Sequence, residues 1–378
     1  MRKLYTFLMA TIVLATIVSC DDDPVIIDIQ VPSTYSFERD GQSSVNYSGQ
    51  EERIEQLVQM KALLSSGNAG NQISGQNLLD MYANTGGNGG ENFDFTSTKQ
   101  LKDKTFLADQ STFDAILTAA GIASVNGANG DTAVNGASGL LWRGNDPNRS
   151  ILVDEKGVEF TQLFEKGIMG AVFYYQILDT YMSDARVGDN VDNTTIEEGD
   201  NYTAMEHHWD EAFGYLGVPV DFKSNWPSDR NGEAKFWGSY IRGRDAMLGS
   251  SDIIMNAFKK GRAAIVAKEY DIKNEQRDII FEELERVCAA TAIHYINSVL
   301  ASSSDDGERL HALTEGYAFI RALQFSPRAK FSNAEITQLL KDVSDDSYNL
   351  WNASSIGLNT AKSKLSSTFG FDSIKDDL

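Results

Sequence analysis

An all-α fold is what this sequence predicts: a helical bundle (one large or two packed bundles) with an irregular N-terminal third. Three observations lead there. After Val158, apolar residues recur at the helical period, as in Leu163, Phe164, Ile168, Val172, Phe173, Ile177, Leu178 and Tyr181. Alternating strand pattern is confined to a few residues such as Val25 to Val31. A composition of 42% hydrophobic and 23% charged residues is that of ordinary globular protein, and 31 Gly with 6 Pro fit neither a collagen nor a Pro-rich polymer. No tandem repeat is legible.

The chain reads as four segments: 1–19, 20–50, 51–158 and 159–378. Residues 1–19 combine a basic start (Arg2, Lys3), an apolar stretch from Leu8 to Val18 and a small residue before Cys20. That is the layout of a signal peptide, with an apolar region too short for an ordinary membrane span. The tetrad Ile17-Val18-Ser19-Cys20 resembles a bacterial lipobox, which implies cleavage before Cys20 and acylation of its thiol, with outer-membrane lipid as the partner. Asp21, Asp22 and Asp23 resemble the surface-export signal of Bacteroidetes-type lipoproteins. This implies the outer membrane, the cell surface in preference to the periplasmic face. A solvated tether is the plainer reading of the same charges.

Charge and cysteine content narrow the function classes. There are 33 Lys+Arg against 54 Asp+Glu, a net −21; cleavage would remove two basic residues and leave −23. No nucleic-acid partner is expected of such a surface. Two cysteines build neither a disulfide framework nor a Cys-rich zinc site. Cys288, in Arg286-Val287-Cys288-Ala289-Ala290, reads as a buried inert thiol.

From 20 to 50 the chain is an extended polar tether. In 51–158, helices are expected at Glu51 to Leu64, from Ser74 to before Gly86, and at Ser111 to Ala120. Thr85 to Asn92 reads as a mobile Gly-rich loop, and 121–149 as a long irregular connection. In 159–378 the periodicity predicts Glu159 to Met182, then Glu233 to Leu248, Ser251 to Lys268, Glu275 to Ala301, Glu308 to Gln324, Asn333 to Leu340 and Ile356 to Phe369. The twelve apolar-rich residues Gly167 to Leu178 suit a buried helix, not a membrane span.

The chemistry concentrates on four histidines: His207, His208, His294 and His311. Thr203 followed by Glu206 matches a capping box, which places His207 and His208 near a helix start. Glu211 is i+4 from one and i+3 from the other, between them on the helical wheel. Two imidazoles and a carboxylate can converge there, a donor set suited to iron, zinc or a similar divalent metal. Spacing alone does not choose between His207 and His208. His311 and Glu315 form a second i, i+4 pair, able to complete the first site from a facing helix or simply to contact each other. His294, on an apolar helix, reads as a core histidine. Arg242, Arg244, Lys259, Lys260 and Arg262 are expected to pair with carboxylates on neighbouring helices. No His-Glu-x-x-His, Gly-x-Ser-x-Gly, P-loop, dinucleotide fingerprint or Cys-x-x-Cys appears.

The blocks Tyr47-Ser48-Gly49-Gln50, His207 through Tyr215, Gly243-Arg244-Asp245-Ala246, Gly261-Arg262-Ala263-Ala264 and His311-Ala312-Leu313-Thr314-Glu315-Gly316 resemble a family of Bacteroidetes lipoproteins of unknown function. That family is similar in outline to the imelysin-like proteins, iron-regulated helical bundles with a Gly-x-His-x-x-Glu signature. His208 and Glu211 match its last two fixed positions, and Glu206 stands where the glycine would be. The resemblance implies a helical fold and iron-related metal binding. The leading expectation is an anchored lipoprotein that binds metal through His208 and Glu211, with His207, His311 and Glu315 as further ligands. A non-catalytic accessory of an outer-membrane transporter or other envelope protein comes second, and a metallopeptidase third.

Overall fold

The computed structural model describes residues 29–302 and 304–378. Cys20, Asp21 to Asp23, the signal segment and the first part of the expected strand lie outside them. Residues 29–31 form no strand. The fold is all-α, and the only sheets among the described residues are two small hairpins. None of the described helices is long and apolar enough to cross a membrane.

The N-terminal third is more helical than its composition suggests. A small hairpin, β1 (Glu38–Arg39) with β2 (Gln42–Ser43), leads into α1 (Ser48–Asn68) and α2 (Gly75–Tyr82). Helix α3 (Gln110–Ala128) runs eight residues past the expected end. Gly121 is not a breaker there: a Cβ on it would meet the backbone of Gly75, so it permits close approach of α3 to the start of α2. The expected irregular connection over 121–149 is therefore corrected. Its first part is helix, and β3 (Gly139–Trp142) pairs antiparallel with β4 (Ser150–Val153) in its second. Four-residue strands with Leu140, Leu141, Ile151, Leu152 and Val153 all buried show no alternation to read. Thr85 to Asn92, expected to be mobile, wraps around Asn84, whose side chain accepts from Gly89 N (3.0 Å) and donates to the Ser97 and Lys99 carbonyls.

Helix α4 starts at Phe160–Ile168 and continues through Met169–Tyr174 and Gln176–Tyr181 with π-winding, where an unbroken α-helix was expected. Two of its carbonyls are engaged from outside the helix. Trp237 Nε1 donates to Met169 O (2.9 Å), and Phe106 N donates to Ala171 O (2.9 Å). After the short α5 (Asp184–Val187) come α6 (Ala204–Gly214), α7 (Trp237–Leu248), α8 (Ser250–Ala267), α9 (Tyr270–Ala301), α10 (Asp306–Ala322), α11 (Asn333–Asp342) and α12 (Ser355–Phe369). At 32 residues α9 is about 48 Å long. Helices α8 and α10 pack along it, with α12 also against it, and α4 lies against α10. Buried side chains form one cluster running from Tyr35 to Leu378. Cys288 sits inside it, donating to Phe319 O at 3.3 Å, and burial pushes its thiol well up.

Candidate functional site

Helix α6 is held at its start and beneath. At its start the expected capping box is formed: Glu206 N donates to Thr203 Oγ1 (3.3 Å), and Thr203 N donates to Glu206 Oε2 (2.8 Å). Beneath it, Trp209 lies flat on Gly261 of α8, where any Cβ would collide with the indole ring, and its Nε1 donates to Phe258 O (3.0 Å). Arg262, fully buried, binds Asp210 Oδ1 (2.9 Å), Glu206 Oε1 (3.0 Å) and Ser44 O (2.9 Å). Tyr35 and Arg39 from the N-terminal segment bind the same two carboxylates. Of the five basic residues expected to find carboxylates, Arg262 alone does so among the described residues. Lys259 donates to the Ser33 carbonyl instead, and the Nε atoms of Arg242 and Arg244 are buried without a hydrogen-bond partner. Burial pushes Asp210 up to about 6, against the pull of Arg262. This network pins α6 so that its opposite face points outward.

That face carries His207, His208 and Glu211. His208 Nδ1 lies 3.2 Å from Glu211 Oε2, and His207 Nε2 lies 3.9 Å from the same oxygen. The hydrogen-bond partners fix the tautomer of His208. Arg186, always a donor, faces His208 Nε2 at 3.2 Å, so His208 carries its proton on Nδ1 and donates to Glu211. His207 Nδ1 donates to the Asn46 carbonyl at 3.1 Å, which turns its Nε2 toward Glu211. The His207 ring stacks on Tyr202 at 4.5 Å. Gln50 of α1 donates to Glu211 Oε1 at 3.1 Å. Burial alone would raise the Glu211 carboxyl; the His208 hydrogen bond, the His207 imidazole and Gln50 hold it below the usual glutamate range. The group is reachable from solvent, with side-chain exposures of 23% for His207 and 17% for Glu211.

His311 and Glu315 occupy a different place. His311 Nδ1 donates to Glu159 Oε2 at 2.6 Å, and its Nε2 is 3.5 Å from Glu315 Oε1. Glu159, wholly buried, also accepts from Asn68 (3.1 Å), while its backbone N–H donates to Thr314 Oγ1 (3.1 Å). Behind Glu315 stand Lys166 at 3.6 Å and the Tyr240 hydroxyl at 3.4 Å. Lys166 is paired to Glu165 at 2.9 Å, and Glu165 also accepts from Lys61 at 3.0 Å. Burial pushes Glu315 up to about 7; Lys166 opposes this, and Glu165 and Glu159 add to it.

The chain matches the family model of a domain of unknown function, DUF4856, over residues 32–372. It belongs to that family. Comparison with curated proteins and with solved structures found no match.

In this DUF4856 chain the expected meeting of the two pairs does not occur. Each pair has its own partners on different helices, α6 beside α1 and α8, α10 beside α4 and α9. Among the described residues no three His, Cys, Asp or Glu side chains stand ready as a metal cage, since His208 and Glu211 bond to each other. His294 is half-buried against Tyr295, and burial and Arg244 lower its pKa. Sequence reading missed Gln50, Tyr181 and Arg186 around Glu211, and Glu159, Lys166 and Tyr240 around Glu315. Gln50 lies in one of the blocks that carry the lipoprotein resemblance, which was a usable signal. The others come from distant segments with no motif.

Proposed function

We propose that this chain is a cell-envelope lipoprotein of imelysin-like type, anchored through Cys20, that binds one metal ion at the outward face of α6, iron in preference to other ions. The observation that carries this reading is the placement of His207 Nε2, its ring fixed by the Asn46 carbonyl, 3.9 Å from the Glu211 carboxylate. A backbone carbonyl on the far nitrogen is the usual support of a metal-binding histidine. Donor atoms sharing one ion at about 2.1 Å stand roughly 3–3.5 Å apart, a little less than the 3.9 Å between His207 Nε2 and Glu211. His208, its Nδ1 donating to Glu211 and its Nε2 accepting from Arg186, has neither ring nitrogen free and positions the carboxylate instead. His311 and Glu315, locked to Glu159 and Lys166, are left out of the ligand set. The His208-x-x-Glu211 likeness supports iron.

Metal content of the purified protein, measured by mass spectrometry after loading with iron or zinc salts or chelates, tests this. Near-stoichiometric metal is expected in the wild type and little in a His207→Ala/Glu211→Ala variant. Equal, near-zero content in both sinks it. A second reading, an accessory lipoprotein of an envelope complex, is favoured by the groove of about 630 Å³ between α2 and α3, lined by Ile73, Leu79, Ile122 and Val125, with Ile122 69% exposed. Absence of any membrane partner after mild crosslinking counts against it.

A further inference from the structure

Between α3, α4 and α10 the bundle leaves a slot of about 230 Å³, lined by Ile116 of α3, Leu163, Gly167 and Gly170 of α4, and Ala318 and Ala322 of α10. It shares no residue with the outward face of α6. Protein interiors hold few voids larger than a water molecule, and an apolar cavity of about 150 Å³ already admits benzene. Scaled from benzene, a slot of 230 Å³ suits a molecule of roughly nine heavy atoms. Neither glycine can carry a side chain into the space. A Cβ on Gly167 would meet the Phe113 ring at 2.7 Å, and one on Gly170 would meet Ala322 Cβ at 2.9 Å. The helices therefore touch there through backbone and methyl groups, and the space beside the contact stays unfilled. Gly170 also lies in the π-wound stretch Met169–Tyr174. Such winding is rare in proteins and gathers at functional sites.

The polar part of the lining is Tyr317 and Arg321, one turn apart on α10. Arg321 Nη2 donates to Asp109 Oδ1 at 2.7 Å, with 25% of the arginine side chain and 9% of the aspartate exposed. That contact takes up one of the five N–H donors of the guanidinium while Asp109 balances its charge. Burial pushes the Tyr317 hydroxyl up to about 12, so it keeps its proton and can donate. A carboxylate placed here would face Asp109 as well as Arg321, and an ammonium would face Arg321 as well as Asp109. Either would also lose water to an apolar lining. An uncharged molecule meets neither cost. We propose that the slot binds a small uncharged apolar molecule carrying one carbonyl or hydroxyl oxygen, which accepts a hydrogen bond from Arg321 or Tyr317. This is a second site, independent of any metal at α6.

Calorimetric titration of the purified full chain with acetophenone, ethylbenzene, benzoate and benzylamine, probes of nearly one size, tests it. Acetophenone is expected to bind about threefold or more tighter than ethylbenzene, which lacks the acceptor oxygen. It should bind about tenfold or more tighter than benzoate or benzylamine, which carry a charge into the slot. Two variants fill the space: Ala318→Leu from α10, and Ile116→Trp from the half-buried wall on α3. Each is expected to abolish acetophenone binding, with circular dichroism and the melting temperature showing that the fold is kept. Ethylbenzene, benzoate or benzylamine binding as tightly as acetophenone overturns the assignment. So does acetophenone binding equally to the wild type and to a folded, filled variant, and so does absence of binding by all four probes. None of these outcomes bears on metal content at α6.

Discussion

On α6, Glu211 keeps 17% of its side chain exposed and faces two histidines, a glutamine amide and solvent. On α10, Glu315 keeps 5% exposed and faces His311, Lys166 and Tyr240, with two further glutamates beyond. Both are glutamates one helical turn after a histidine, yet their carboxyls shift in opposite directions. The difference lies in what surrounds each pair. Glu211 has donors on every side and water at hand, so the charged form is favoured. Glu315 shares one lysine with other carboxylates in a dry site, so the neutral form gains. A His–Glu spacing fixes that two groups share a helix face; it does not fix whether the pair is open to a ligand or committed to holding helices together.

The largest expected effect concerns the sealed pair. Glu159→Ala leaves His311 and Asn68 without their buried partner and is expected to cost about 3–5 kcal/mol of stability by urea unfolding. Comparable losses for Glu159→Ala and Glu211→Ala would break the comparison.

Next comes pH. A carboxyl raised from 4.5 to about 7 in the folded state holds its proton more tightly there than when unfolded. Its contribution is therefore fully present below pH 4.5 and is lost as pH rises through about 7, at most roughly 3 kcal/mol. Glu315→Gln stays neutral throughout, so the stability of wild type relative to this variant should fall across that window. Asp210 and Asp154, both pushed up to about 6 mainly by burial, titrate in both proteins and cancel in the difference. A pH-independent difference would place Glu315 in a wetter setting than the one described.

Gly261→Ala, which drives a methyl group into Trp209, should cost about 1–3 kcal/mol and shift α6. If the open pair depends on α6 being held from below, metal retention falls with it in the same preparation; a destabilised protein with unchanged metal content separates the two. The smallest effect is expected at the open pair. Glu211→Gln should change stability by less than about 1 kcal/mol, because its partners are partly solvated and the amide can still accept from them. Its consequence is expected in metal content instead.

Much of this arrangement was legible residue by residue. The capping box at Thr203 and Glu206, the common face of His207, His208 and Glu211, the inert Cys288 and the pairing of Arg262 follow from local spacing or from the cost of burying charge. Gly121 misled because a glycine that permits helix contact looks, in one dimension, like a glycine that ends a helix. The π-winding of α4 had no local signature, and the donors that meet its carbonyls there, Trp237 and Phe106, come from remote segments. Glu159 reads as an ordinary first-turn residue until His311, 152 positions away, is placed against it.

The helical class, the order of the principal helices, the acidic character and which histidines lie beside a carboxylate are readable in one dimension, because these depend on periodicity, composition and neighbours within one turn. Long-range packing places the two His–Glu pairs apart, locks one with Glu159 and Lys166, and brings Arg53, Lys104 and Arg186 around the other. Those facts depend on which distant segments pack together and on how much water they exclude, and neither is written in the spacing of any single helix.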